Sequence, residues 1–327
     1  MFPYLLLLVF VFMLFWFFSK RHRRYFLISF IAMAIGYRQI STLFSLRQHD
    51  FVQEKANGDL RVLTWNIMGF SGFKPGVRER ELNADRIFNL IKELNPDIIC
   101  FQEYGQFENI RLGRSYLVQM EKLGYKYHVL SRDYSRVVYS YSSGVAIFSK
   151  LKIVNKERLP YRSSAESLLV ADVVHNRDTF RVFTTHMQSY RFSASELEQF
   201  EKIKDTDKPK FRQSKSLLSK MQRAFRNRGA QVDQAITHIE NSPYRQIIGV
   251  DLNDVPTSYA YWNIRGDRSD VFLKKGFGLG RTYMSILPTL RIDYIFSHPS
   301  FRITQMAVVN RRFSDHLPVV ADLHLEK

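Results

Sequence analysis

The chain has 327 residues, 45% of them hydrophobic and 14% aromatic, with a formal net charge of +17. Such a composition builds a large core and excludes a disordered chain, while the positive balance points to polyanionic partners without specifying a fold. The single cysteine, Cys100, excludes an intramolecular disulfide, and its apolar neighbours Ile98, Ile99 and Phe101 mark it as a buried thiol.

The first elements are apolar. Residues 3–18 carry no charge, a basic cluster occupies residues 20–24, and a second apolar run covers residues 25–37. A cleaved leader has its charge before the apolar stretch. Here the charge follows it, so retained transmembrane helices are expected, with the basic cluster cytoplasmic. Residues 1–45 are read as a transmembrane anchor of one or two helices, 46–59 as a polar linker, and 60–327 as the catalytic domain. Two spans place the domain outside the cytoplasm. One span leaves it cytoplasmic, with the second run lying along the membrane.

Residues 60–65 alternate as a strand does and end in Asn66. A helix follows Asn83, with Ile87, Leu90, Ile91 and Leu94 on one face, and Asn95-Pro96-Asp97 stops it. The short buried strand 98–101 has Gln102 and Glu103 at its end. A helix around 110–123 and strands at 125–130 and 145–149 come next. Residues 168–174 and 179–185 read as an antiparallel pair, the second strand of which delivers His186. Residues 193–239 are basic and helical in pattern, with Leu217, Leu218, Met221 and Phe225 spaced for one face. Their charge suits phosphate backbones or lipid headgroups, or simply a solvated face. Strand 246–250 ends at Asp251, Leu252 and Asn253; strand 291–296 contains Asp293; Ser314-Asp315-His316 leads into the last strand. Hairpins together with helical crossovers predict mixed sheets covered by helices.

Polar residues thus recur at the ends of apolar strands. Trp65-Asn66-Ile67, Phe101-Gln102-Glu103, Thr185-His186, Gly249-Val250-Asp251-Leu252-Asn253, Arg291-Ile292-Asp293-Tyr294-Ile295 and Ser314-Asp315-His316-Leu317-Pro318-Val319 resemble the ordered motifs of the endonuclease/exonuclease/phosphatase superfamily. The resemblance implies an α/β four-layer sandwich, two mixed β-sheets flanked by helices, here preceded by transmembrane helices. It implies a divalent cation, usually Mg²⁺ with Mn²⁺ an alternative, held by Glu103 with Asn66 and Asp315. An all-oxygen ligand set suits such a hard ion. By the same resemblance Asp251 orients or deprotonates water, Asn253 holds the phosphate and Asp251, Asp293 orients His316, and His316 donates to a phosphoryl oxygen. His186 is the second histidine, with Asp133 and Glu166 as candidate acidic partners.

Abasic-site endonucleases of the superfamily differ at the positions of Met68, Tyr104 and His186, so the chain looks more like the secreted nuclease and sphingomyelinase side. The expected function is a membrane-anchored Mg²⁺-dependent phosphoesterase that hydrolyses phosphodiester bonds in a nuclease-type reaction. The alternatives are a sphingomyelinase or phospholipase C-like enzyme, an inositol or lipid phosphatase, and a catalytically silent membrane scaffold. Expected partners are a nucleic acid or phospholipid headgroup and the membrane, with no protein partner. Arg78, Arg80, Lys208, Lys210, Lys220, Arg223, Arg226 and Arg228 are the basic residues expected to grip phosphates, and Arg281-Thr282-Tyr283 and Tyr259-Ala260-Tyr261-Trp262 the expected cleft lining.

Overall fold

The computed structural model describes residues 2–47, 50–74, 76–107, 114–136, 140–162, 164–190, 211–284 and 290–326. The chain opens with α1 (Phe2–Phe18) and α2 (Phe26–Ile35), followed by the single turn α3 (Tyr37–Ile40). α1 and α2 fold back on each other, with Phe17 against Phe26 at 5.5 Å and Trp16 against Tyr25 at 5.4 Å.

The expected transmembrane anchor is not found, and the membrane localisation falls with it: no helix among the described residues is long and apolar enough to cross a membrane. The reason is length. α1 has 17 residues, which at ~1.5 Å per residue falls short of ~30 Å of hydrocarbon. The second apolar run reaches only 10 residues in α2 before Gly36 interrupts it.

The remaining helices are α4 (Val77–Leu94), α5 (Tyr116–Lys122), α6 (Phe211–Glu240), α7 (Tyr259–Arg265) and α8 (Val271–Lys275). The strands begin with β1 (Ser45–Leu46), β2 (Asp59–Asn66), β3 (Ile98–Phe107), β4 (Tyr127–Leu130), β5 (Tyr134–Arg136), β6 (Tyr141–Ser149) and β7 (Ile153–Pro160). They continue with β8 (Ser167–His175), β9 (Asp178–His186), β10 (Arg245–Asp251), β11 (Ser269–Asp270), β12 (Phe277–Gly278), β13 (Asp293–Ser297), β14 (Phe301–Val308) and β15 (Val319–Leu325).

A seven-stranded sheet runs β14-β15-β2-β3-β6-β4, with β5 paired to β6, and a six-stranded sheet runs β11-β13-β10-β9-β8-β7. Both are mixed, as expected. Each has one parallel pair, β2 with β3 through the crossover α4 and β9 with β10 through the crossover α6. One apolar cluster, with Val62, Ile98, Leu169, Val182 and Ile247, fills the space between the sheets. A second joins the larger sheet to α4 and α5, and a third joins the smaller sheet to α6 and α7. The α4 stripe predicted from Ile87, Leu90, Ile91 and Leu94 is buried in the second cluster.

The N-terminal segment does not simply hang from this body. Thr42, Leu43 and Ser45 are buried, and β1 pairs with β12. The fully buried Arg291 donates to the Thr42 carbonyl at 2.7 Å and to Asp270 Oδ2 at 2.6 Å.

The sheets approach closely at Gly249. A Cβ there would lie 2.8 Å from Cys100 Cβ and 3.2 Å from Thr64 Cβ on the facing sheet, and neither atom can rotate away. Overpacking of this kind costs about 1–3 kcal/mol. Gly249→Ala is therefore expected to lower the thermal midpoint clearly, with part of the loss recovered when Cys100→Ala is added, because that change removes Sγ, 2.9 Å from the new Cβ, and leaves only the Cβ contacts. Equal melting of Gly249→Ala and the parent protein would refute the close approach.

Candidate active site

Parallel pairing sends the C-terminal ends of β2, β3, β9 and β10 to one edge of the sandwich, where irregular segments begin. On the smaller sheet His186 pairs with Asp251, and Asp251 pairs with Asp293, so these residues share one rung. On the larger sheet Asn66 stands opposite Gln102. The next residue, Glu103, sits where the β3–β6 register shifts between Phe101 and Tyr104, with φ of 52°. A bulge with a left-handed non-glycine residue costs free energy and re-aims a side chain. Glu103 is aimed into the cleft, its side chain 43% exposed.

The firmest contact is between the sheets' ends. His316 Nδ1 lies 2.9 Å from Asp293 Oδ2 and 3.0 Å from Asp293 Oδ1. The His316 carbonyl accepts from Trp65 Nε1 at 2.9 Å, and the Ser314 hydroxyl donates to the Asn66 carbonyl at 2.7 Å. Burial disfavours charge on His316, but Asp293, Asp251 and Asp315 outweigh it and lift the imidazole to about 10. It is thus a cation at neutral pH, with Nδ1 engaged and Nε2 left for the cleft.

Asp251 is the hub of the smaller sheet. Its Oδ1 accepts from the Asn253 backbone N–H at 2.8 Å and its Oδ2 from Asn66 Nδ2 at 3.0 Å. The Asn253 side chain donates to the Met187 carbonyl at 2.9 Å, which steadies the segment after His186. His186 Nε2 stands 3.5 Å from Asp251 Oδ2 and 3.7 Å from Glu103 Oε1, beyond hydrogen-bonding range. Of its two candidate partners, Asp133 is taken by Ser167 at 2.7 Å and Arg158 at 3.0 Å. Glu166 is the one that feels His186: burial raises its carboxyl, and Tyr134, Ser164 and His186 together draw it below the ordinary value.

The expected catalytic and metal-holding residues meet at one cleft of about 470 Å³, lined by Asn66, Glu103, His186, Asn253, Asp315 and His316. Asp251 and Asp293 are buried directly behind it. The oxygen donors fit a hard cation. Burial pushes the Asp315 carboxyl up; His316 opposes the rise, and the charge of Glu103 adds to it, so two carboxylates repel across the cleft where a cation would relieve them. Asp251, Asp293 and His316 also lie within 4.8 Å of one another. That buried trio is a worse fit, since the His316 nitrogen nearest the carboxylates is already bonded to Asp293. Asn66 turns Nδ2 toward Glu103 and Asp251, with Oδ1 accepting from the Met68 N–H at 3.1 Å; as a metal ligand its amide would have to turn over.

Several lining residues differ from expectation. Tyr283 lines the cleft and packs its ring on His316 at 4.8 Å. Residues 259–262 do not line it: Ala260 and Tyr261 are buried in α7, where the Tyr261 hydroxyl donates to Asp270. Arg228, expected on the gripping surface, is buried, while Arg223 and Arg226 are exposed on α6. Lys208 and Lys210 lie outside the described residues. Tyr190 and Phe225 line the cleft and were not expected there. Phe225 appears in the sequence only as one member of an apolar helix stripe.

Residues 63–316 match the model of the Endonuclease/Exonuclease/phosphatase family, and residues 1–43 match a domain of unknown function. Among curated proteins none matches. The fold is similar to an endonuclease/exonuclease/phosphatase from Beutenbergia cavernae, with 22% identity, a TM-score of 0.58, and 83% of this chain and 72% of that one covered. It is also similar to the human Nocturnin catalytic domain, with 18% identity, a TM-score of 0.59 and coverages of 84% and 97%. The D. rerio TDP2 structure complexed with single strand DNA product matches with 15% identity, a TM-score of 0.54 and coverages of 82% and 99%.

Behind Asp293 stands Thr282, fully buried, whose hydroxyl accepts from the backbone N–H groups of Ile292 at 3.0 Å and Asp293 at 3.1 Å. Stranding buried donors costs about 1–3 kcal/mol. Thr282→Val, which keeps the shape and removes the acceptor, should lower stability by that amount in urea unfolding, while Thr282→Ser stays near the parent. Equal stability of all three would show that Thr282 supports nothing.

Proposed function

The chain belongs to the Endonuclease/Exonuclease/phosphatase family, and we propose that it is a divalent-metal-dependent phosphoesterase hydrolysing phosphodiester bonds in a nuclease-type reaction. The observation that carries the proposal is the His316–Asp293 hydrogen bond, which ties a cationic imidazole to one wall of a cleft whose other wall presents Glu103 and Asp315.

Mg²⁺ is the proposed ion, with Mn²⁺ able to replace it, and Glu103, Asp315 and Asn66 would hold it. When bound, the cation neutralises negative charge that gathers on the phosphoryl oxygens. The side chains supply the rest. His316 donates a hydrogen bond from Nε2 to a phosphoryl oxygen, strengthened because Asp293 fixes the ring and keeps its charge. Asp251 orients the attacking water and accepts its proton. Asn253 holds Asp251 and meets the phosphate. His186, on the opposite side of Asp251, acts as general acid or as a second phosphate donor, with Glu166 as its distant counter-charge.

The lipid-headgroup alternative drew support from an anchor that would hold the site at a bilayer. No described helix is both long and apolar enough to provide one. The basic flank of α6 and the net charge of +17 favour an extended polyanion instead. TDP2 of D. rerio, similar in fold, is complexed with single strand DNA product.

The test is a substrate panel on the full chain: single- and double-stranded DNA, RNA, sphingomyelin, phosphoinositides and bis-p-nitrophenyl phosphate, with Mg²⁺ and after EDTA. Cleavage of nucleic acid is expected with Mg²⁺ and none after chelation. Glu103→Gln and His316→Gln should each lower kcat by about 100- to 1,000-fold, with circular dichroism unchanged. Turnover of no phosphoester, or a Glu103→Gln variant as fast as the parent, would overturn the proposal.

A further inference from the structure

One wall of the cleft is apolar and fixed in advance. Tyr190 and Phe225 line it, their rings edge to face with centroids 5.7 Å apart and planes at 80°. Phe225 is 46% exposed, an unusual position for a phenylalanine beside a polar site. Beneath the pair lies Arg228, 1% exposed. Its guanidinium donates to the Gln188 carbonyl at 2.7 Å, the Tyr190 hydroxyl at 3.0 Å and Asp254 Oδ2 at 3.1 Å. It also sits 4.8 Å from the Tyr190 ring and 5.1 Å from the Phe225 ring. An arginine so engaged holds two rings still and has little left for a ligand. A rigid aromatic surface facing solvent loses little entropy when something flat lands on it.

What lands must also be anionic. A second depression, of about 290 Å³, shares Ser189 and Tyr190 with the cleft and continues along α6 past Arg223, Lys220 and Asn227. Leaving the catalytic residues, a ligand therefore meets aromatic rings first and cationic side chains next. A quaternary ammonium headgroup would welcome the rings but not the guanidinium groups of Arg228 and Arg223 beside them. A nucleotide strand matches the order: a base has a π-face, and a phosphate follows it.

We propose that Tyr190 and Phe225 form a base-stacking subsite for single-stranded nucleic acid, with the neighbouring phosphate running along Arg223 and Lys220. The inference rests on the phosphodiesterase reading and narrows its substrate. A single strand is required because the bases of a duplex are already stacked on one another and cannot reach a side wall.

Binding is measured without turnover, on the full chain in EDTA, by fluorescence anisotropy of a labelled single-stranded deoxyoligonucleotide and of an abasic deoxyribose-phosphate strand of equal length. Phe225→Ala is expected to weaken oligonucleotide binding by about 5- to 150-fold while leaving the abasic strand unaffected, and Phe225→Trp to restore it. Arg223→Ala should weaken both strands and flatten their salt dependence. Parent-like oligonucleotide binding by Phe225→Ala, or an equal loss on both strands, overturns the subsite. So does displacement of the labelled oligonucleotide from the parent protein by sphingomyelin mixed micelles at lower concentration than unlabelled oligonucleotide requires, which would assign the wall to lipid. Because no turnover is involved, an active enzyme can fail this test, and a protein inactive on every phosphoester can pass it.

Discussion

The site exists only because two sheets meet face to face in one registration. Asn66, Glu103, Asp315 and His316 belong to the larger sheet and its approaches; His186, Asp251, Asn253 and Asp293 belong to the smaller one. Neither set forms a site alone. A polar tie holds the two together: the buried Gln102 side chain on β3 donates to Thr64 at 3.1 Å on its own sheet, and to Thr184 at 3.0 Å and the Gly249 carbonyl at 3.3 Å on the other. A half-satisfied buried amide is costly, so one whose N–H groups find acceptors on both sheets favours a single alignment. Gly249 lets them approach closely enough for the tie to form.

The electrostatics follow from that alignment. Bringing Asp251 and Asp293 beneath a cleft that Asp315 lines concentrates negative charge in a region poor in water, and such charge persists only if paired or coordinated. His316 answers part of it from within, which is why its charged form is favoured despite burial. Glu103 and Asp315 face outward, where an external cation can answer the remainder. The contrast with Arg61 is informative. Its guanidinium meets Asp322 at 2.6 and 2.8 Å, with both side chains almost fully buried, and that pairing leaves no charge over. One cluster is closed and structural; the other is left open toward the cleft.

Much of this was legible in the sequence because apolar strands that end in polar residues are a strong local signal. Asn66 and Asp251 sit where an apolar run stops and Asp293 beside the start of one, and the structure brings them together. What was not legible lacked periodicity or crossed between distant segments. β7 carries Asn155, Lys156, Glu157 and Arg158, exposed at a sheet edge, so it has no alternation to read. Arg228 looked like one more cation in a basic helix, and only the fold shows that it turns inward to Asp254 and Tyr190. The pairing of Arg291 with Asp270, not with nearby Asp293, likewise depends on chain segments that the sequence does not align. The N-terminal run read as spanning because its composition was counted, whereas its helices are set by where the basic cluster and Gly36 break them.

The tight seam at Gly249 has a further consequence through the residue it presses against. Cys100 is wholly buried there, and burial pushes its thiol up to about 12, despite contacts to Gly249 and Thr184 that favour the thiolate. Reactivity follows the thiolate and its access, and this thiol has neither. With no other cysteine in the chain, the folded protein offers oxidants no sulfhydryl to titrate and glutathione nothing to exchange with. Its only thiol is thus indifferent to the redox poise of the surroundings, a property that comes from the closed seam between the two sheets.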